Sequence, residues 1–256
     1  MSRPEAPNDN RLLAALTKVC GPGCQQHLQH VDLELGQVLS EPGRPQHFAY
    51  FPTSAIVSLL YTTETGASAE VAVVGREGLV GTALFLGGGA DTWQGSVLIA
   101  GQAFRIGAQV IRDEFEQSGA VRKVMLRYAQ ALAVQIAQTV VCNRHHAVEQ
   151  QLCGWLLHGL DRLRGAEVVV TQELIASMLG VRRESVTKAA LHLQDAGLIH
   201  YARGHIVVLN RAGLEQLACE CHAVVKKEYD RLLPQEPAAL PAEPGWRTWP
   251  EWRAAA

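Results

Sequence analysis

The chain lacks any apolar run long enough to cross a bilayer; runs such as IVSLLY at 56–61 stop far short of the length a membrane helix needs. Its first ten residues, MSRPEAPNDN, hold no apolar stretch of signal-peptide length, so cytoplasmic residence is the expectation and no membrane partner is expected. It lacks a Walker loop, a GxSxG elbow and an HExxH pair, and Gly87, Gly88 and Gly89 fall among β-type runs without the strand-to-helix context of a phosphate loop. No catalytic constellation is found, and an enzyme is not expected. A basic excess is also missing: the net charge is −2 with a pI near 6.5, which argues against a nucleic-acid binder, although whole-chain charge can hide a local patch.

What is present is an ordinary globular composition, 256 residues with 48% hydrophobic and 19% charged positions, enough for two modest domains. Six cysteines in a reducing compartment are expected to be free, buried or ligand-forming rather than disulfide-bonded; only Cys20 with Cys24 and Cys219 with Cys221 form close pairs.

Periodicity divides the chain. Residues 1–24 read as a polar arm and a short amphipathic helix, RLLAALTKVC, ended by Gly21-Pro22-Gly23. From 25 to 107 the period is two, in short runs bounded by Gly, Pro or Thr: HVDLELG, QHFAYFP, AIVSLLYTT, AEVAVVG, QGSVLIAG and QAFRIG. This predicts an all-β roll or sandwich. The helical period returns over 108–145, where Val121, Met125, Tyr128, Leu132, Gln135, Thr139 and Cys142 alternate steps of four and three. That spacing predicts a seam for a second copy of the chain, with Gln135 and Thr139 as polar register positions. The competing reading is that the helix packs on its own β domain.

Over 146–210 the pattern is helix, helix, turn, helix, hairpin. Thr171 caps a helix whose buried face is Leu174, Ile175, Met178 and Leu179, Gly180 turns the chain, and Val186, Ala190 and Leu193 give the next helix a face to pack against it. Arg182, Arg183, Glu184, Thr187 and Lys188 are left at the exposed start of that second helix, where RRESVTK carries three cations and one carboxylate, a local +2. Such residues can reach base edges: Arg bonds guanine O6 and N7, and a carboxylate accepts from cytosine N4. LIHYA and HIVVLN flank Arg203-Gly204 as a wing. Asn210 caps a last helix over 211–233, and the Pro-rich segment 234–256 is expected to lack order.

The order of elements and the string GVRRESVTKAALHLQ resemble the Crp/Fnr family of transcription regulators. The resemblance implies an α+β chain: a jelly-roll-like N-terminal β-roll sensor, a long dimerisation helix and a C-terminal winged helix-turn-helix. It implies a homodimer on double-stranded DNA with a roughly palindromic site, and RNA polymerase as a further partner. Arg183, Glu184 and Lys188 fill the family's base-reading places, with Lys where better-known members have Arg. Thr171, Arg182 and Arg203 are the expected phosphate neighbours, with Thr187 on the same surface. The alternative is a ligand-binding signalling module that uses its helix-turn-helix for protein contact.

In the sensor, cyclic-nucleotide-binding relatives place a Glu on the ribose and an Arg on the phosphate. The matching region here puts Thr82 near the Glu place, and Asp91, Thr92, Trp93 and Gln94 supply no Arg. Cyclic AMP binding is therefore not expected, because a buried phosphate would lack its cation. Arg76 and Glu77, with Gly81 and Thr82, form either an altered pocket or, as favoured here, an ordinary surface turn. Oxygen-sensing relatives cluster three cysteines at the N-terminus; only Cys20 and Cys24 stand there. For CECH at 219–222, one helix offers two ligands at most, so a zinc site would need Cys142, His145 or Cys153; free thiols are favoured. No cofactor and no metal are expected.

Overall fold

The computed structural model describes residues 5–20, 22–163, 165, 167–202 and 204–233. Asn10 anchors the first helix to the roll. Its side chain caps α1 (Arg11–Val19) by accepting from Leu13 N, and its amide donates to Pro52 O and Gly78 O, each at 2.8 Å. Leu12, Leu13 and Leu16 then enter the core. Cys20 follows α1 and Cys24 lies in α2 (Pro22–Gln26), and the break between the helices brings their Cα atoms to 6.0 Å, a bridging distance. They are joined as a disulfide, which corrects the expectation of free thiols at this pair.

Seven strands form two antiparallel sheets: β1 (Gln29–Leu33), β2 (Val38–Ser40), β3 (Phe48–Pro52), β4 (Ile56–Thr62), β5 (Ser68–Val74), β6 (Gln94–Ile99) and β7 (Gly101–Gly107). One sheet has the order β1-β7-β3 and the other β2-β6-β4-β5. Side-chain alternation gives the second sheet two buried faces. Val57, Leu59, Ala72, Val74 and Val97 join Phe51, Ala103 and Ile106 of the first sheet in the roll's core. Ile56, Val73 and Leu98 point the other way, into the core of the C-terminal half.

The predicted helix over 108–145 is two helices, α3 (Ala108–Gln117) and α4 (Gly119–His145), separated by Ser118, which caps α4 by accepting from Val121 N. The predicted seam of α4 is covered by its own chain. Val121, Met125, Tyr128, Leu132 and Gln135 are each no more than 3% exposed, and the first four belong to the roll's core. Tyr128 donates its hydroxyl to Leu79 O at 2.7 Å, and Gln135 donates to Val73 O at 3.1 Å. Gly78 permits this approach, since a Cβ there would lie 2.3 Å from the Tyr128 ring. Thr139 is half-buried and bonds back to Gln135 O. The heptad spacing is real, but its partner is the roll and the C-terminal helix, not a second copy.

The C-terminal half comprises α5 (Val148–Arg162), β8 (Glu167–Val169), α6 (Gln172–Leu179), α7 (Arg183–Asp195), β9 (Ile199–Ala202), β10 (His205–Val208), α8 (Arg211–Leu217) and α9 (Glu220–Leu232). Leu152, Leu156 and Leu157 of α5 form its centre, and β8-β10-β9 is a three-stranded wing sheet. The single helix expected over 211–233 breaks because Ala218 and Cys219 are extended, with Cys219 as the N-cap of α9. After the break α9 runs back along α4, and Val225, Tyr229 and Leu233 enter the roll's core. Residues 234–256, expected to lack order, lie outside the described residues. Among the described residues no helix is long and apolar enough to cross a membrane.

Because the inner face of α4 is core, Met125→Ala is expected to cost about 2–5 kcal/mol of stability. Denaturant unfolding measures this; a loss under about 1 kcal/mol would place Met125 outside a packed core.

Candidate nucleic-acid interface

Thr171 has an extended backbone and its hydroxyl accepts from Leu174 N at 3.2 Å, starting α6. Ile175, Ala176, Met178 and Leu179 are buried. Gly180 then takes φ +64°, the left-handed conformation that ends a helix most easily at glycine, and the chain re-enters a helix at Arg183. Val186, Ala189, Ala190 and Leu193 pack α7 onto α6 and α5. Helical geometry leaves Glu184, Lys188 and Leu191 on the opposite face with Arg183 at its start, all exposed, and Arg182 exposed at the N-cap. The positive end of the α7 dipole adds to Arg182 and Arg183 there.

Gln172 and Glu173, which the sequence reading did not single out, shape this surface from the start of α6. Thr187 donates to Gln172 Oε1 at 2.8 Å, with Arg183 O 3.1 Å away, so its hydroxyl ties α7 to α6. Arg183 Nε lies 3.9 Å from Glu173 Oε2, both groups well exposed, a pair weak enough to open when a better acceptor arrives. Leu191, 53% exposed, is an apolar contributor also absent from the sequence reading. Arg203 lies outside the described residues; beside it Gly204 has φ +82°, as the tight turn of the wing requires.

A polar seam sets how this half sits on the roll. Strand β5 pairs with β4 through Leu59↔Ala72 and then Leu60↔Glu70, skipping Val71, and this bulge turns Glu70 to the outer face of the sheet. There Glu70 accepts from Ser58 Oγ at 2.6 Å and from Trp155 Nε1 of α5 at 3.1 Å. Burial pushes its carboxyl up to about 7, partly offset by those two hydrogen bonds and by the charge of Arg162. Ser68 and Ser177 hydroxyls meet at 3.2 Å, docking α6 on β5.

Arg162, at the end of α5, is the second tie. It is 4% exposed and donates to Glu77 Oε1 at 2.8 Å, Gln135 Oε1 at 3.2 Å and His158 O at 2.8 Å. Gly75 makes room, since a Cβ there would sit 2.8 Å from that of Arg162. Glu77 is thus not on a surface turn as favoured from sequence; it is buried and its carboxylate is engaged by Arg162. The four expected pocket residues are not gathered into one site. Arg76 is half-buried and its carbonyl accepts from Arg11 N, whereas Gly81, at φ +120°, lies against Gln46, and Thr82 opens a buried 3-10 turn (Thr82–Leu84).

Residues 150–217 match the model of the Crp-like helix-turn-helix domain. This is a Crp-like helix-turn-helix carried on a Crp/Fnr fold. The chain is similar to FixK2 from Bradyrhizobium japonicum, with a TM-score of 0.66 at 14% identity over 75% of this chain and 98% of that one. A crp/fnr family regulator from Eubacterium rectale gives 0.64 at 15% identity, covering 82% and 98% respectively. A CRP/FNR family regulator from Thermus thermophilus gives 0.60 at 20%, covering 74% and 98%. No curated protein sequence matches significantly. The α+β class, the N-terminal sheet domain and the C-terminal helix-turn-helix expected from sequence hold.

The Glu70 carboxyl links the docking of the Crp-like domain to pH. Its folded value lies above the ordinary carboxyl value of 4.5, so its stabilising effect is present below that value and is lost as pH rises through about 7. Between about pH 5 and about pH 8 the wild type should lose up to about 3 kcal/mol that the Glu70→Gln variant does not. Denaturation curves for both proteins across that range check this; parallel pH profiles would mean that Glu70 does not titrate there.

Proposed function

We propose that the chain is a homodimeric DNA-binding transcription regulator that reads a roughly palindromic operator with Arg183, Glu184 and Lys188 of each subunit. The observation that carries the reading is the exposed face of α7, which presents two cations, a carboxylate and Leu191 above a fully packed helix-turn-helix. Arg183 suits a guanine edge, Glu184 a cytosine amine and Leu191 a thymine methyl, whereas Arg182 and Thr171 suit phosphates. Lys188 supplies a point charge rather than a bidentate fork. Half-sites about 34 Å apart would place the two recognition helices in successive major grooves.

Dimerisation is assigned to the outer face of α4. Leu126, Ala129, Ala133, Ile136, Val140 and Asn143 follow steps of three and four; Leu126, Ala133 and Val140 are exposed, and Ala129 and Ile136 half-buried. An apolar stripe at heptad spacing with small residues at its centre suits close pairing of two helices. The sensor is proposed not to take cyclic AMP. Residues 91–94, which by the resemblance match the phosphate-binding stretch of cyclic-nucleotide-binding relatives, supply no Arg, and Asp91 among them is a buried carboxyl pushed up to about 6 by burial. Cytoplasmic residence and contact with RNA polymerase follow from the same reading, and no observation favours the protein-contact alternative.

Arg183→Ala is expected to weaken operator binding by about 1–3 kcal/mol and to relax preference at one base pair per half-site. Binding titrations against a set of single-base operator variants check this. Equal weakening on every sequence would make Arg183 a phosphate contact, and no weakening would remove α7 from the DNA interface.

A further inference from the structure

The break between α8 and α9 has a chemical result at the hinge between the long helix and the Crp-like domain. Cys219, extended at the N-cap, and Cys221, in the first turn of α9, turn their sulfurs to the same place. The last turn of α4 brings Cys142, and its C-cap brings His146. Cys142 Sγ lies 3.5 Å from Cys219 Sγ, Cys221 Sγ lies 3.5 Å from His146 Nδ1, and all four ligand atoms lie within 4.8 Å of one another. Tetrahedral zinc, with sulfur at about 2.3 Å and imidazole nitrogen at about 2.0 Å, needs its ligand atoms about 3.6–3.8 Å apart.

We propose that Cys142, His146, Cys219 and Cys221 form a mononuclear tetrahedral zinc site that clamps the end of α4 to the start of α9. The free-thiol expectation assumed one continuous helix, on which Cys219 and Cys221 diverge; the extended Ala218 and Cys219 remove that premise. The surroundings suit the metal. His146 Nε2 faces Glu220 Oε2 at 3.5 Å, so Nδ1 is the nitrogen left for the ion, and a carboxylate behind a ligating histidine fixes the orientation of its ring. Gln151 donates to His146 O at 2.9 Å, holding the C-cap from the side of α5. Cys219 and Cys221 are buried, Cys142 half-buried, which suits a closed structural site. The separations are too short for an iron-sulfur cubane, which would stand between its four ligands and spread them to its corners. The site is independent of how α7 meets DNA.

The test uses the full chain, reduced with a phosphine and stripped with chelator, then titrated with Zn²⁺ and separately with Co²⁺. One equivalent of Zn²⁺ per chain should survive gel filtration. The Co²⁺ form should show the intense visible bands of a tetrahedral site and thiolate-to-cobalt charge transfer in the near ultraviolet. Cys142→Ser and Cys219→Ser should each lose the retained metal, whereas Cys153→Ala, outside the four, should keep it. Circular dichroism reports whether each variant is folded, and the wild-type titration stands without them. Reduced wild type that retains no zinc, a weak octahedral cobalt spectrum, stoichiometric zinc in the folded Cys142→Ser variant, or iron with acid-labile sulfide in the purified protein would each overturn the proposal.

Discussion

The inner face of α4 is the constraint on which the rest of the molecule depends. Met125 and Tyr128 are completely buried, Leu132 nearly so, and Gly78 lies flat against the Tyr128 ring because no side chain would fit. A face packed this tightly has no room for a second helix. It fixes the rotation of α4 about its axis, and that rotation decides which residues face outward: Leu126, Ala133 and Val140. It also presents Gln135 at the junction where the roll, the long helix and the Crp-like domain meet.

At that junction Gln135 donates to Val73 O of the roll and accepts from Arg162, while its Oε1 also takes the Tyr229 hydroxyl at 3.1 Å. Arg162 carries the contact on to Glu77. A buried pair of this kind adds little net stability compared with apolar packing, but losing one partner strands a charge and costs about 3–5 kcal/mol. Its effect is therefore positional: the Crp-like domain is seated on the roll through Arg162–Glu77 on one side and Trp155–Glu70 on the other. Any movement of α7 relative to the roll must exchange these bonds for others, which leaves the domain a choice between discrete arrangements. The four-ligand cluster sits at the neighbouring hinge, where a bound ion would restrict that choice further.

The roll and the helix-turn-helix were legible because each rests on local signals. Period-two runs between turn residues describe the strands, and Gly180 followed by a charged helix start describes the turn and α7. What was not legible depends on distant partners or single-residue irregularities. Two heptad-spaced stripes run along α4, both largely apolar, and the sequence does not say which of them the roll covers. Glu70 faces Trp155 only because the pairing skips Val71. Arg162 and Glu77 are 85 residues apart, so neither advertises the other. Cys219 and Cys221 converge only because the chain is extended at Ala218 and Cys219, where no proline or glycine marks a break.

We propose that the outer stripe of α4, rather than the inner one, pairs the subunits. In a parallel two-fold helix pair a seam residue faces its own copy, at a separation that a disulfide can span. Mild oxidation of the Ala133→Cys protein should therefore give a covalent dimer that the parent protein does not give, and one that still binds the operator. A parent that sediments as a dimer, with no gain in covalent dimer from Ala133→Cys, would contradict the account and move the two-fold axis away from α4.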